Sequence, residues 1–371
     1  MKSTLVLRIA HIDTGQSLRG GQRQMLMLAE GLRERGREQV IVCLEGSSLE
    51  ERAQREGFHV FSLPMHDPGH AFGILLWRQQ LKTWAPQILH AHDGRGQTLA
   101  WLASLGLPVR RVASRRVIFF PSDHWTYRLK YGQTCHAVIA VSENIRELSV
   151  QAGVPGERIT VIPDGIDIPA ELPGAAERLR LRTSWHCRED DFVVGLLGAS
   201  TPEKGQDTVL AALDLLAEKL PRTRLIFAGD EGPNSGTRLM PGAKPDCTRI
   251  LRLGPIEDLA DFFPGIDLFV MPSKSEGLGS SALWAMAYGL PVVATRVGGL
   301  PEIVVENETG WLIPPGSPQA LADAILLASR DRVKLIEFGR HGRRRAEGFS
   351  AAIMVSRTEA LYERLLSDLR P

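Results

Sequence analysis

Short apolar runs of strand length alternate along the chain with stretches of helical periodicity, and this alternation limits the possible folds strongly. The runs are β-rich and continuously apolar, which is typical of parallel strands buried on both faces. One series comprises Leu5–Ala10, Val40–Leu44, Ile88–His92 and Ala137–Val141; the second comprises Phe192–Leu197, Arg224–Ala228, Ile250–Leu253, Asp267–Met271 and Pro291–Ala294. Strands that alternate with helices predict a doubly wound α/β sheet, and two series predict two such sheets.

The break between the two series lies in the segment 163–173, which holds three prolines and the sequence Asp164-Gly165-Ile166-Asp167. Proline and glycine at this density are typical of a linker. A chain of 371 residues is long for one core and sufficient for two. We therefore expect one domain over residues 1–167 and a second over residues 168–350.

Charge excludes some classes of protein. The chain holds 44 Lys+Arg against 43 Asp+Glu, whereas a dedicated nucleic-acid binder is usually strongly basic. Residues 1–167 carry 20 basic and 16 acidic side chains, a net of +4, and eight of the ten histidines. This excess either favours an acidic partner, such as a phosphorylated glycan or an anionic membrane surface, or arises by chance.

Cysteine usage and the apolar runs bear on the compartment. Cys43, Cys135, Cys187 and Cys247 are far apart and form no C-x-x-C pair, which argues against a zinc site or a redox pair. The first ten residues lack the length and cleavage pattern of a signal peptide, and no run reaches the ~18 apolar residues that span a bilayer. We expect a cytoplasmic protein that touches a membrane at most peripherally.

The segment after the strand Asp267–Met271 carries the strongest functional signal. Glu276 lies among Gly277 and Gly279 in a loop, and Ser280 opens an apolar helix. The glycines allow close approach of a ligand, and backbone N–H groups at a helix start accept phosphate charge. Glu276 is left to accept hydrogen bonds from hydroxyl groups. Phosphate at one end and hydroxyls at the other indicate a sugar nucleotide.

Three pieces of this region resemble the donor-binding segment of the retaining glycosyltransferases of family 4, which have the GT-B fold. They are Glu276-Gly277-Leu278-Gly279, Gly289-Leu290-Pro291-Val292-Val293-Ala294 and Gly298-Gly299-Leu300-Pro301-Glu302. The resemblance implies two Rossmann-like doubly wound domains that face each other across a cleft. It also implies that a terminal helix, here Met354–Leu369 within residues 351–371, returns to the first domain, with Ala360, Leu361, Leu365 and Leu366 on one stripe.

The resemblance assigns donor-binding roles to several positions. Glu276 would contact hydroxyls of the donor sugar, Lys204 of the Lys204-Gly205 pair would neutralise the leaving diphosphate, and Gly20-Gly21 would lie under that diphosphate. Backbone N–H groups of Leu278 to Ser280 would add to this. Gly20-Gly21 could equally be an ordinary flexible loop. No G-x-G-x-x-G follows the first strand, which argues against a nicotinamide dehydrogenase.

Two positions depart from the family pattern. Ala199 stands where an arginine usually follows the strand, so one phosphate cation is missing. Trp284 stands where a second glutamate usually holds the ribose. Tryptophan can stack on a ring and donate one hydrogen bond but cannot accept two from a diol. Trp284 therefore either contacts the nucleotide in another way or packs the helix.

His90-Ala91-His92-Asp93 ends a strand of the first domain, where doubly wound folds bind ligands. His92 is a catalytic candidate beside Glu276, because it could carry a proton or hydrogen-bond the acceptor. The family has the same His-x-His ending. We expect His90 and His92 to point to opposite faces of the strand, which argues against their binding one metal.

Residues 110–131 mix basic and aromatic side chains in an apparent loop. Its basic residues are Arg110, Arg111, Arg115, Arg116, Arg128 and Lys130, and its aromatic residues are Phe119, Phe120, Trp125, Tyr127 and Tyr131. Such a mixture suits an acceptor with a phosphate, an acidic sugar or a lipid headgroup, with Arg115 and Arg116 as the contacts. A solvated or packing role is the alternative.

We therefore expect a retaining glycosyltransferase that moves a sugar from a nucleotide-diphosphate donor to a glycan or lipid-linked acceptor. The resemblance places it in cell-surface polysaccharide or lipopolysaccharide synthesis. No Asp-x-Asp motif is present, so we expect metal-independent transfer without a further cofactor and with no nucleic-acid partner. The alternatives are a catalytically silent GT-B protein that binds a glycan or a partner transferase, and another enzyme class on this fold, such as a sugar-nucleotide epimerase.

Overall fold

A computed structural model of the chain describes residues 6–64, 71–118, 124–230 and 249–367. Leu5, Phe119, Phe120, Cys247 and residues 368–371, which the sequence analysis named, lie outside the described residues. The chain divides into two compact units, residues 1–165 with 351–371, and residues 166–350. The division falls two residues before the boundary expected from the sequence.

The first unit is a parallel sheet of seven strands in the order β3-β2-β1-β4-β5-β6-β7. The strands are β1 Arg8–Ile12, β2 Glu38–Leu44, β3 His59–Leu63, β4 Ile88–Ala91, β5 Arg110–Arg115, β6 Ala137–Ala140 and β7 Ile159–Val161. The helices are α1 Gly20–Glu34, α2 Ser48–Arg55, α3 Ala71–Trp84, α4 Gly94–Ala103, α5 His124–Tyr127 and α6 Glu143–Gln151, and Arg128–Gln133 forms a π-helical turn.

Successive residues of β1 show that this sheet is covered on both faces. Ile9 packs with Leu28 of α1, whereas Ala10 and Ile12 pack on the opposite face with Trp77 and other residues of α3 and α4. All three β1 residues are fully buried. Two covered faces explain why the strands are continuously apolar and not alternating.

The second unit is a parallel sheet of six strands in the order β10-β9-β8-β11-β12-β13. The strands are β8 Phe192–Leu197, β9 Thr223–Ala228, β10 Ile250–Arg252, β11 Leu268–Met271, β12 Val292–Thr295 and β13 Gly310–Ile313. The helices are α7 Ala175–Ser184, α8 Gln206–Leu215, α9 Ser280–Ala287, α10 Leu300–Ile303, α11 Pro318–Arg330 and α12 Arg332–Glu347. Both sheets are therefore doubly wound and Rossmann-like, as the sequence predicted.

The last helix, α13 Ala351–Ser367, belongs to the first unit and packs on α1. The two helices lie close together, since a Cβ on Gly31 of α1 would lie 2.5 Å from Val355 Cγ2 of α13. Glu359 accepts at 2.6 Å from Arg35 and from Arg37. The predicted stripe is partly wrong, because Ala360 is exposed and Tyr362 is buried. Among the described residues, no helix is both long and apolar enough to cross a membrane.

The apparent loop at 110–131 is wrong in its first part, because β5 Arg110–Arg115 lies inside the sheet between β4 and β6. Two arginines of β5 donate hydrogen bonds to backbone carbonyl groups. Arg110 Nε donates to Leu365 O at 2.9 Å, and Arg111 Nε donates to Thr134 O at 2.6 Å. Charged side chains paired in this way allow a polar sequence to form a central strand.

Candidate functional site

An ion pair joins two loops at the carboxyl end of the second unit's sheet. Lys204 follows β8 and Glu276 follows β11, and these two strands are hydrogen-bonded neighbours. Lys204 Nζ lies 2.6 Å from Glu276 Oε2, to which the Ser273 hydroxyl also donates at 3.3 Å. The two charged side chains are 28% and 14% exposed, so a ligand can reach both. The carboxyl edge of a parallel sheet is where doubly wound folds bind ligands.

Gly205, which follows Lys204, has a backbone that only glycine fits. Its φ is +68°, and it is the residue before α8. A Cβ at this position would lie 2.1 Å from the backbone oxygen of Pro272, at the start of the Glu276 loop. The two loops are also joined by a hydrogen bond from Lys274 N to Glu203 O at 2.7 Å. The Lys-Gly pair therefore holds the ammonium against the loop that carries the acid.

Gly205→Ala should lower the free energy of unfolding by about 3 kcal/mol. About 1–2 kcal/mol comes from the left-handed backbone, and the rest comes from a clash with a backbone oxygen that cannot move alone. Gly316→Ala is a matched control, since Gly316 has a φ of +66° and no atom within 4 Å of the Cβ position. Urea unfolding of both variants measures the difference, and equal losses would show that the contact with Pro272 imposes no constraint.

The remaining predicted donor-loop residues surround the start of α9. Gly277, Leu278 and Gly279 are buried, and Ser280 is the first residue of the helix. Gly279 has a φ of +105°, and a Cβ there would lie 2.5 Å from Leu300 Cδ2. The loop is further anchored by Thr295, whose hydroxyl donates to Ser273 O at 2.6 Å. The fold thus presents a helix start beside the Lys204–Glu276 pair.

In the first unit, Gly20 and Gly21 are the first two residues of α1. The Cβ position at Gly20 has no atom within 4 Å, and that at Gly21 has only Arg116 Cδ at 4.0 Å. Packing within the described residues therefore does not require glycine at either position. The predicted close approach of a phosphate remains a reason for glycine here.

His92 lies in a buried cluster with His11 and His90, and the expectation about the two strand histidines is wrong. Residues two apart in a strand share a face, and the rings of His90 and His92 lie 4.0 Å apart between centroids. Atoms of the three imidazoles that could bind a metal lie within 4.8 Å of one another. The cluster is therefore a possible ligand set by distance alone.

Hydrogen bonds of the cluster are satisfied by neutral histidines. Arg116 Nη1 lies 3.3 Å from His92 Nδ1, His92 Nε2 lies 3.1 Å from His11 Nδ1, and His11 Nε2 lies 3.0 Å from Gln39 Oε1. Arginine can only donate, so one assignment makes each histidine donate onward to the next group. His90 is held at both ring nitrogens by Tyr362 and Ser114, at 2.6 and 2.8 Å.

Burial shifts the acidities in this region. It lowers the pKa of His11 to about 4 and lowers the pKa values of His90 and His92 well below their usual range. Burial, with a smaller contribution from the charge of Asp93, raises the pKa of Asp13 to about 6. His92 is only 6% exposed, so a catalytic role for it requires contact through that small surface.

A cavity of about 1070 Å³ opens in the first unit where β1 and β4 end. Its lining includes Thr14 after β1, Arg19 before α1, Asp93 after β4 and Lys130. Asp93 and Lys130 belong to two segments that the sequence analysis linked to the acceptor, whereas Thr14 and Arg19 were not predicted. The position directly after β1 could have been found from the rule that ligands bind beyond the carboxyl ends of parallel strands.

Two family models match the chain. The one described as "Glycosyl transferases group 1" matches residues 177–345, and the one described as "Glycosyltransferase Family 4" matches residues 18–169. Together they match most of the chain. The chain belongs to glycosyltransferase family 4.

Several curated relatives of this family 4 chain carry names of specific transferases. D-inositol 3-phosphate glycosyltransferase of Corynebacterium glutamicum is 32% identical over 254 residues, which cover 62% of this chain and 58% of the relative. The phosphatidylinositol monomannoside mannosyltransferase of Mycolicibacterium smegmatis, named as GDP-mannose-dependent, is 28% identical over 79% of this chain and 81% of its own length. The chain spans about half the length of four bacterial relatives that are named D-inositol 3-phosphate glycosyltransferase, that of Corynebacterium glutamicum among them.

Solved structures show the fold. The Anabaena protein Alr3699/HepE, solved in complex with UDP-glucose, has a TM-score of 0.83 at 21% identity, covering 98% of this chain and 100% of that one. A glycosyltransferase from Rickettsia africae has a TM-score of 0.84 at 18% identity, covering 98% and 99%. The family 4 chain therefore has the GT-B fold, as expected from the sequence.

The two departures from the family pattern lie in the second unit. Ala199 is half-buried in the turn between β8 and Lys204, and its carbonyl accepts from Thr201 N at 2.9 Å. Trp284 is half-buried on α9, whereas its neighbours Leu283 and Ala285 are fully buried. Part of the indole surface therefore reaches solvent. A nucleotide contact by Trp284 stays a prediction.

Arg115 and Arg116 of this family 4 chain are not solvated loop residues. Arg115 is 8% exposed, and its guanidinium lies over the rings of Tyr127 and Tyr131, at 5.3 and 5.0 Å from their centroids. Arg116 Nε pairs with Asp164 at 2.9 Å, and the side chain is 13% exposed. Both side chains are largely buried inside the unit, which leaves little of their surface for an acceptor.

Proposed function

We propose that this chain transfers a sugar from a nucleotide-diphosphate sugar to an acceptor hydroxyl, with retention of anomeric configuration and without a metal. The observation that carries the proposal is the Lys204–Glu276 pair beside the starts of α8 and α9. Family membership and the named relatives support a transferase. The predicted donor contacts Gly20, Gly21 and Gly277 to Ser280 remain predictions, as do those of Trp284.

The pair has the charges that the reaction needs. In a front-face substitution, the bond from the anomeric carbon to the phosphate oxygen breaks and the acceptor oxygen bonds on the same face. The leaving phosphate takes the acceptor proton. The Lys204 ammonium would stabilise the charge that develops on the diphosphate, while Glu276 would turn from Lys204 to accept hydrogen bonds from donor hydroxyls.

The base of the donor differs among the proteins to which this chain is similar. Structures of the Anabaena protein hold UDP-glucose, whereas the Mycolicibacterium smegmatis relative is named for GDP-mannose. A panel of UDP and GDP sugars is therefore the direct test. A bound donor at about 100 times its dissociation constant should raise the free energy of unfolding by about 2.7 kcal/mol. If no UDP or GDP sugar of the panel binds, the proposal is contradicted.

Glu276→Gln should lower kcat/KM about 10- to 150-fold with the donor that binds. The amide cannot replace a charge-assisted hydrogen bond, whose loss typically costs about 1.5–3 kcal/mol. Glu308→Gln, an exposed acid in the same unit, is the control and should keep full activity. Full activity of Glu276→Gln would remove Glu276 as the principal donor contact.

The same assays separate the alternatives. A silent GT-B protein would bind a nucleotide sugar or a glycan and release no nucleoside diphosphate, and an epimerase would convert the donor sugar without an acceptor. Transfer that persists in excess chelator would support metal independence, and rescue by magnesium or manganese would contradict it. A role in cell-surface polysaccharide or lipopolysaccharide synthesis, and a cytoplasmic location with peripheral membrane contact, remain predictions.

A further inference from the structure

The cavity of the first unit has an excess of positive charge. Arg19, Arg95 and Lys130 line it, and the salt bridges among the described residues include none to these three side chains. Arg19 and Arg95 are exposed, and Lys130 is half-buried. Three cations that converge on one cavity, with no salt bridge to a carboxylate of the described residues, favour an anionic ligand.

Asp93, the one acid among the described residues that line the cavity, does not offset these charges by binding them. Its Oδ1 accepts from Gly96 N at 2.8 Å, as the cap of α4, and its Oδ2 accepts from the Thr14 hydroxyl at 2.6 Å. Both carboxylate oxygens are therefore directed at neutral donors of the fold. A ligand's anionic oxygens would meet the arginines and the lysine instead.

The cavity also has an apolar wall. Ile74 of α3 and Leu99 and Leu102 of α4 line it. The apolar surface continues outside along α3, where Leu75 is 66% exposed and Leu76 is 37% exposed. A wholly hydrophilic ligand, such as a free sugar phosphate, would leave this wall without a partner.

We propose that this cavity binds an acceptor in which a phosphate is attached to a hydrocarbon chain. The phosphate lies among Arg19, Arg95 and Lys130, and the hydrocarbon lies against Ile74, Leu99 and Leu102. This inference rests on the proposed function, because it names the acceptor of that transfer. It selects the lipid-linked acceptor over an uncharged glycan.

Calorimetry without any nucleotide sugar tests the binding step alone. The probes are octyl phosphate, inorganic phosphate and octyl glucoside, at roughly 0.15 M salt to limit nonspecific attraction. Octyl phosphate should bind at least about tenfold more tightly than either other probe, because only it meets both the cations and the apolar wall. Equal binding of octyl phosphate and inorganic phosphate, or of octyl phosphate and octyl glucoside, would overturn the proposal.

Two pairs of variants separate the charged and apolar parts. Arg95→Gln and Leu102→Ser should each weaken octyl phosphate binding about tenfold. The controls Arg55→Gln on α2 and Leu105→Ser beyond α4, both exposed and outside the cavity lining, should change it less than about twofold. Equal effects of a variant and its control would overturn the assignment of the cavity.

Phosphatidylcholine vesicles with and without phosphatidic acid distinguish the source of the phosphate. Cosedimentation that requires phosphatidic acid and is lost in Arg95→Gln supports a membrane-held acceptor, whereas calorimetric binding of octyl phosphate without cosedimentation supports a soluble one. A protein that binds nucleotide sugars but no octyl phosphate would overturn this inference and leave the proposed transfer intact. If the protein binds octyl phosphate but no nucleotide sugar, the proposed transfer is contradicted and the cavity remains a binding site for a phosphate attached to a hydrocarbon chain.

Discussion

Lys204→Met should lower kcat of sugar transfer by about 100- to 1000-fold, the usual effect of removing one preorganised group that stabilises transition-state charge. Methionine keeps most of the aliphatic length and removes only the ammonium, which lies 2.6 Å from Glu276. Because Ala199 replaces the second cation usual in the family, no arginine at that position can compensate. The measurement is steady-state release of nucleoside diphosphate at saturating acceptor.

Two further variants test whether the loss of kcat in Lys204→Met comes from removal of the positive charge at this position. Lys204→Arg keeps a cation with a different shape and should recover part of the rate. Lys274→Met removes a nearby ammonium that pairs with Asp207 on the surface, where both side chains are largely exposed. Such a pair is worth about 0–1 kcal/mol, so the rate should change less than about fivefold. Wild-type kcat in Lys204→Met would exclude Lys204 from the chemical step.

Acidification from pH 7 to pH 5 should destabilise the fold, because the three clustered histidines are buried in the neutral form. Burial depresses the pKa of His11 from 6.5 to about 4, so its contribution to stability is full above pH 6.5 and is lost as the pH falls towards 4. By pH 5 His11 alone should account for about 2 kcal/mol. The lowered pKa values of His90 and His92 act in the same direction.

Asp13 acts in the opposite direction. Its pKa is raised to about 6, so its buried charge costs stability above pH 6, and protonation relieves about 1 kcal/mol of that cost by pH 5. Urea unfolding at both pH values measures the net effect. His11→Gln should reduce the pH dependence by about 2 kcal/mol, while the exposed His59→Gln should leave it unchanged. An unchanged pH dependence in His11→Gln would show that its titration does not limit acid stability.

The two doubly wound sheets and the loop that carries Glu276 could be predicted from the sequence. Phe192–Leu197 coincides with β8 in every residue, and most other predicted strands differ by one or two residues at an end. Such strands can be recognised in the sequence because strands buried on both faces must be apolar throughout. The pairing of Lys204 with the loop of Glu276 was also accessible, since both follow predicted strands and share the sheet's carboxyl edge.

The contacts of the buried polar side chains could not be predicted without the tertiary structure. β5 was missed because Arg110, Arg111 and Arg115 make it polar, and their partners lie 16 to 255 residues away along the chain. The same long-range pairing buries Arg115 under tyrosine rings and links His92 to His11, 81 residues earlier. Local pattern reports the burial of apolar side chains, whereas the partner of a buried charge is chosen by the packing of distant segments.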